Sequence, residues 1–539
     1  MHGLMMDYPL TVNSVFRRAE TMARQREIVT RLADKSLHRY TYGEFAQRTR
    51  RLAAALQSLG LRSGDRVATL GWNHYQHLEA YFGIPLAGGV LHTLNLRLHH
   101  DELAYIVNHA EDRIVLVDES LLPLWNKVRP QVDVKQTIVM QASKAVEDGQ
   151  HDYETLLTTS LPLSGETDPD ENAAVAMCYT TGTTGAPKGV VYSHRAIVLH
   201  TIAGCLDHCI GTRESDAILP VVPMFHANAW GMPFTAALVG AKLVMPGPHL
   251  DPASLVDLFE RERVTVTGGV PTIWMGVLQY LEANPGKFDL SSIRAMLVGG
   301  SAVPQSMIEA FEKKYGLKII HAWGMTEMSP LGTVCRLPAA MEGCCESEYF
   351  KYRAKQGRPA PFVEIRAANE AGFVAWDGQT MGELEVRGPW IARAYYDRPD
   401  SADRFTDDGW FKTGDIVTID PDGTITIQDR AKDLIKSGGE WISSVALECA
   451  LMGHPAVAEA AVIPVAHDKW AERPLAAVVL KPGASASASE LRAFLASQFP
   501  KFWLPDAFEF IDAIPRTSAG KFKKTELRER FKDYRLENV

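Results

Sequence analysis

Apolar and polar positions in the first two thirds of the chain switch repeatedly between helical and strand periods. Thr41 and Glu44 form a capping box, and Phe45, Leu52, Leu56 and Leu59 then fall on one helical face until Gly60 stops the run. Strands are predicted at 66–70, 114–117, 242–245, 264–267 and 318–321. Between them, Asp251-Pro252 supplies a cap and first-turn proline for one helix. Pro304 opens another, with Met307, Ile308 and Phe311 turned inward. Alternation of this kind predicts an α/β fold of layered sheets with helices on their faces.

The pattern changes after about residue 350. Short alternating strands at 383–387 and 424–428 are separated by Gly and Asp turns and predict a β-rich subdomain. The stretch 429–439 mixes charges with glycines and marks a domain boundary. Beyond it the chain is small and mixed, with an Ala/Ser-rich loop expected at 483–489. The expected layout is a large N-terminal domain at 1–429, whose β-rich subdomain covers about 350–429, a joint at 430–435, and an α+β C-terminal domain at 436–539. A chain of 539 residues accommodates more than one such unit.

Composition narrows the function classes. With 46% hydrophobic and 22% charged residues the chain reads as folded and soluble. A net charge of -9 argues against wholesale nucleic-acid binding, which needs a basic face. The seven cysteines, at 178, 205, 209, 335, 344, 345 and 449, show no C-x-x-C spacing. That gives neither a zinc pattern nor a disulfide scaffold and points to a reducing compartment. The N-terminus has no signal-type apolar core. The most apolar stretch, 219–245, is broken by Pro223, His226, Asn228, Pro233 and Lys242, so no integral membrane segment is expected. A cytoplasmic protein is the expectation.

The segment Tyr179-Thr180-Thr181-Gly182-Thr183-Thr184-Gly185-Ala186-Pro187-Lys188-Gly189 follows a strand-like run at 173–177. Its glycines let backbone N–H groups turn toward a polyphosphate, its threonines add donors, and Lys188 adds a cation. It is not a Walker A loop, which requires Gly before the Lys and Ser or Thr after it. The segment resembles the signature loop of the adenylate-forming, AMP-binding superfamily of acyl-CoA synthetases, luciferases and peptide-synthetase adenylation domains. The runs Pro223-Met224-Phe225-His226 and Asp433-Leu434-Ile435-Lys436-Ser437-Gly438-Gly439-Glu440-Trp441-Ile442-Ser443 resemble the bacterial fatty-acyl-CoA synthetase branch in particular.

The resemblance implies a set of roles. Thr180, Thr181, Gly182, Thr183, Thr184, Gly185 and Lys188 would hold the ATP phosphates. In Trp323-Gly324-Met325-Thr326-Glu327, Thr326 would touch the α-phosphate, and Glu327, with Thr184, would hold Mg²⁺. A single carboxylate plus phosphates is ordinary magnesium chemistry. Trp323 stands where the family usually has Tyr and would stack on adenine without offering a phenol hydroxyl. Gly300, Ser301, Ala302 and Gly324 would line the nucleotide site. Asp415 would accept from both ribose hydroxyls, with Arg430 as a second contact. Lys521 in Gly520-Lys521 would bridge the acid's carboxylate and the α-phosphate, and His226 would border the reacting groups. Ala227, Trp230, Val298, Gly299 and Met325 would form the acyl pocket. Lys432 would be the hinge of a mobile C-terminal domain, and Gly438, Gly439 and Trp441 the path of the coenzyme A thiol.

The implied activity is ATP-dependent carboxylic acid:CoA ligation through an acyl-adenylate, with ATP, Mg²⁺ and coenzyme A required and a homodimer possible. Medium- to long-chain fatty acids fit the branch, and short thioether acids of the methylthiopropionate kind or aryl acids fit the same residues. Transfer to a carrier-protein thiol, luciferase-like oxidation and a non-catalytic nucleotide-binding protein remain alternatives at this point.

Overall fold

The computed structural model describes residues 1–165, 168–180, 186–438, 440–467, 469–517 and 520–536. Two mainly parallel sheets build the large domain. The first runs, in spatial order, Gln150–Asp152, Gln136–Met140, Asp112–Asp118, Arg66–Leu70, Val90–Thr93, Ala174–Thr180 and Lys188–Ser193, with only the last pair antiparallel. The second runs Arg358–Pro359, Leu331–Val334, Ile319–Gly324, Ala295–Val298, Val266–Gly269, Ala217–Pro220, Lys242–Met245, Glu27–Arg31 and Leu37–Thr41. It is parallel through its middle and antiparallel at both ends.

Helices cover both faces, which is why the strands read as continuous apolar runs. Neighbouring strand residues face opposite layers. Ile218 and Leu297 join the core between the two sheets, whereas Leu219 and Val298 join the core beneath Pro252–Arg261, Pro271–Ala283 and Gln305–Tyr315. In the central core Phe16, Phe45, Phe82 and Phe234 form a chain of rings with centroids 5.9, 5.5 and 5.4 Å apart. They come from the helices Val12–Met22, Tyr42–Ser58, Tyr75–Leu86 and Met232–Val239. Each ring is buried, an arrangement worth about 1.5–3 kcal/mol per side chain.

Local signals in the sequence account for the element ends. The Thr41–Glu44 capping box closes reciprocally, and Asp251 accepts from the Ser254 N–H. Met307, Ile308 and Phe311 are buried as their spacing predicts. Two readings need correction. The strand expected at 264–267 is Val266–Gly269, because the Val264 N–H still closes the preceding helix on the Phe259 carbonyl. The loop expected at 483–489 ends early, because Ser487 and Glu490 form a capping box that starts the helix Ala488–Ala496.

A third, antiparallel sheet follows in the order Gly372–Phe373, Glu364–Asn369, Gly382–Arg387, Phe411–Ile419 and Ile425–Arg430. The chain leaves it at Arg430 and enters the last sheet at Ile435. That sheet pairs Val457–His467 with Ala471–Leu480 and packs Leu447, Leu451, Leu491 and Leu495 into a core of its own. All seven cysteines are unpaired. Among the described residues, no helix is long and apolar enough to cross a membrane.

Candidate active site

The carboxyl ends of the parallel strands open into a cleft, the place where open α/β sheets bind ligands. Strand Ala295–Val298 turns at Gly299 and Gly300, and Gly300 takes φ +89°. Strand Ile319–Gly324 ends on Gly324, where a Cβ would lie 1.9 Å from the Pro330 carbonyl oxygen. Only glycine passes there, and the turn that follows presents Thr326 and Glu327. Trp323, Gly324, Gly300, Ser301, Ala302, Asp415 and Arg430 line one part of the cleft, a cavity of about 220 Å³.

Asp415 is buried and held from two sides. The Trp323 indole N–H donates to one carboxylate oxygen at 3.0 Å, and Arg430 Nε lies 2.8 Å from the other. Arg430 faces Asp415 across adjacent strands and also donates to the Thr413 carbonyl at 3.1 Å. The indole that replaces the family's usual phenol therefore has a polar task of its own.

The neighbouring part of the cleft, about 440 Å³, contains Thr180, Lys188, His226, Trp230, Gly299, Met325, Thr326, Glu327, Lys432 and Lys521. Lys188 begins a strand paired to Thr180, and its Nζ sits 4.8 Å over the Tyr395 ring. Tyr395 donates its hydroxyl to Glu327 Oε1 at 2.6 Å. The backbone repeats the link: the Ala392 N–H donates to the Glu327 carbonyl and the Tyr396 N–H to the Gly189 carbonyl, both at 2.8 Å. A buried carboxylate with one oxygen engaged and the other without a hydrogen-bond partner among the described residues fits a hard, oxygen-seeking cation such as Mg²⁺. The sequence reading missed Tyr395 and Arg404, which also lines this cleft. Neither lies in a spacing that marks it.

Lys521 enters from the C-terminal domain. Its backbone N–H donates to the Thr517 hydroxyl at 3.1 Å, and its side chain passes the Gly300 backbone. Burial and the charge of Arg430 push its ammonium down to about 8, against the pull of Asp415 and Glu327. His226 is pushed down to about 4 by burial, then by Lys521 and Arg97, and stands neutral near pH 7.

Beside it, Ala227, Asn228, Ala229 and Trp230 take φ values of 35°, 42°, 53° and 55°, a left-handed run that ordinary residues adopt at some cost. The Cys178 thiol secures it by donating to Asn228 Oδ1 at 2.9 Å. Trp230 at its end meets Gly299. Behind them the cavity continues along His200, Gly204, Ile210, Thr235, Leu297 and Leu331. His200 Nε2 accepts from the Leu331 N–H at 3.3 Å, and burial pushes that imidazole down to about 4.

Several expected residues fall elsewhere. Val298, expected in the acyl pocket, does not line the cavity: it lies one strand position beyond Leu297 and so points into the opposite core. The Ala227 side chain is buried at the base of the left-handed run and does not line the cavity. Gly438 and Trp441 lie away from the cleft, with the Gly438 N–H donating to the Trp470 carbonyl at 2.9 Å. Thr181, Gly182, Thr183, Thr184, Gly185 and Gly439 lie outside the described residues.

The family model described as AMP-binding enzyme matches residues 15–396, and that of the AMP-binding enzyme C-terminal domain matches residues 446–521. The chain is 49% identical to a long-chain-fatty-acid--CoA ligase of Thermus thermophilus, over 98% of this chain and 97% of that one. It is 45% identical to a 3-methylmercaptopropionyl-CoA ligase of Ruegeria lacuscaerulensis, over 99% of each. Its fold superposes on ATP-bound MatB from Rhodopseudomonas palustris with a TM-score of 0.82 at 26% identity, covering 97% of this chain and 99% of that one. The chain belongs to the AMP-binding enzyme family, among its AMP-forming acyl-CoA ligases.

Proposed function

We propose that the protein joins a monocarboxylic acid with an apolar tail, of the medium- to long-chain fatty type, to coenzyme A. The observation that carries the choice of acid is the far end of the cavity. Past Trp230 its walls are Gly204, Ile210, Leu297 and Leu331, with a neutral His200 and the Thr235 hydroxyl turned onto the Gly231 carbonyl at 2.9 Å. No lysine or arginine among the described residues lines that end, so a second carboxylate would be buried unpaired, which is strongly unfavourable. The names of the two relatives support acids with such tails, a fatty acid in one and a short thioether acid in the other.

The nucleotide would lie with adenine against Trp323 and its ribose diol on Asp415, whose two oxygens are already oriented by Trp323 and Arg430. Its phosphates would face Thr180 and Lys188. Mg²⁺, when bound at Glu327, would neutralise charge on the β- and γ-phosphates. A carboxylate oxygen of the acid attacks the α-phosphorus, a new P–O bond forms, and pyrophosphate departs with the electron pair of the broken one. Charge grows on the α-phosphate oxygens in that step. Lys521 would stabilise it while orienting the acid, an electrostatic contribution worth roughly 3 kcal/mol. The coenzyme A thiol, losing its proton, then attacks the acyl carbon and AMP leaves.

Lys521 stands in the cleft, while Gly438 and Trp441 stand outside it. The second step therefore calls for the C-terminal domain to turn about Lys432, withdrawing Lys521 and bringing 436–441 to the adenylate. The unpaired cysteines fit a cytoplasmic setting for this chemistry.

The reading is tested by coenzyme A-dependent AMP release from ATP and Mg²⁺ over short, medium and long fatty, methylthio-substituted and aryl acids. It predicts the strongest response from a medium- or long-chain acid, with one AMP per thioester. A preference for aryl or methylthio acids would overturn the choice of acid. Adenylate formation without coenzyme A consumption would overturn the acceptor.

A further inference from the structure

Tyr395 touches two groups of opposite charge at once. Its hydroxyl donates to Glu327 Oε1 at 2.6 Å, and its ring face receives Lys188 Nζ at 4.8 Å from the centroid. The ring is itself buried and braced by the edge of Phe405, with centroids 6.0 Å apart. Lys188 and Glu327 make no ion pair among the described residues, although both line the same cleft.

An ammonium and a carboxylate left free in one cleft would pair and neutralise each other. A phenol between them prevents this in a specific way. Its hydroxyl engages one oxygen of Glu327 and leaves Oε2 to a cation, as outer groups orient metal-binding carboxylates. Its π face attracts the ammonium without cancelling its charge. The Ala392 and Tyr396 N–H groups, which tie the same segment to the backbones of Glu327 and Gly189, hold the phenol in register with both.

We infer that Tyr395 is a positioning residue that separately pre-sets Glu327 for the metal and Lys188 for the phosphates. This rests on the proposed roles of those two residues. The hydroxyl and the ring then have different consequences, so two substitutions divide them. Tyr395→Phe removes only the hydroxyl; Tyr395→Leu removes the ring face as well.

The test is calorimetric titration of the full-length protein with ATP over a series of Mg²⁺ concentrations, with Glu327→Gln as reference and melting temperatures as a check on folding. Tyr395→Phe is expected to raise the Mg²⁺ midpoint about tenfold. It should leave ATP affinity at saturating Mg²⁺ within about twofold of wild type, because the cation–π contact survives. Tyr395→Leu is expected to show the same Mg²⁺ shift and a further loss of about two- to fivefold in ATP affinity at saturating Mg²⁺. If Glu327→Gln shifts the Mg²⁺ midpoint and Tyr395→Phe does not, the inference fails while the role of Glu327 stands. If neither shifts it, the assignment of Glu327 fails and the inference with it. Equal effects of Tyr395→Phe and Tyr395→Leu on ATP affinity would overturn the separate role given to the ring.

Discussion

On the large-domain side of the cleft each charged group is held by a neighbour. Asp415 is gripped by Trp323 and Arg430, Glu327 by Tyr395, and Lys188 rests on the Tyr395 ring. On the small-domain side, the Lys521 side chain makes no hydrogen bond or ion pair among the described residues and lies in the cleft with a lowered pKa. The seam carrying it is polar rather than apolar. Asp429 accepts from the Ser444 N–H at 2.8 Å and its hydroxyl at 2.5 Å, the Gln428 carbonyl accepts from the Ser443 hydroxyl, and Arg528 lies 2.5 Å from Asp433 of the joint. Apolar cores like the Phe16–Phe234 chain resist separation, whereas a few hydrogen bonds at a boundary exchange with water at small net cost. In the proposed cycle the fixed groups serve both half-reactions, and the loosely held lysine serves one.

The sharpest break in this comparison is Lys521→Ala. It is expected to lower acid-dependent ATP–pyrophosphate exchange about 10²–10³-fold, while thioester formation from supplied acyl-adenylate stays near wild type. Comparable losses in both would place Lys521 with the fixed groups. Next is Trp323→Phe, which keeps a ring against adenine but removes the N–H on Asp415. ATP KM in the exchange assay is expected to rise about tenfold, the worth of a hydrogen bond to a charged group. An unchanged KM would show that Arg430 alone orients the carboxylate.

The pH dependence discriminates more finely. In its proposed role Lys521 acts in its charged form, so kcat/KM for adenylation should fall as pH rises through about 8, up to tenfold per pH unit above it. Lys521→Ala should lack that limb, which a pH series of the exchange reaction would reveal. The smallest effect is expected from Asp429→Ala, which removes the acceptor of Ser444 at the seam. A few-fold slower exchange with unimpaired thioester formation would show that the seam holds the arrangement for the first step. A matching decline in both reactions would mean that Asp429 is needed only for folding.

How far the sequence carried these groups depended on distance along the chain. Trp323 to Glu327 and Gly520-Lys521 could be singled out because each motif is a run of adjacent residues, and the structure brings both runs to the cleft. The layered α/β core was legible from period alone. Tyr395 and Glu327, 68 positions apart, become a unit only when the sheets are assembled. The same holds for Asp429 and Ser444, and for His200, which reaches Leu331 across 131 positions. Val298 was misplaced for a different reason. Period two says that Leu297 and Val298 face opposite ways, but not which of two covered faces holds the ligand. The Ser487 capping box was hidden in an Ala/Ser-rich stretch whose composition reads as loop.

The central claim is that one cleft serves two reactions because the small domain exchanges its position about residues 430–435. Lys432→Pro tests it most directly, since proline fixes φ and removes the backbone N–H at the joint. Both half-reactions should be measured on one preparation: ATP–pyrophosphate exchange, and thioester formation from supplied acyl-adenylate. The account predicts exchange within about twofold of wild type and thioester formation slower by about an order of magnitude or more. Equal loss of the two half-reactions, or full retention of both, would contradict it.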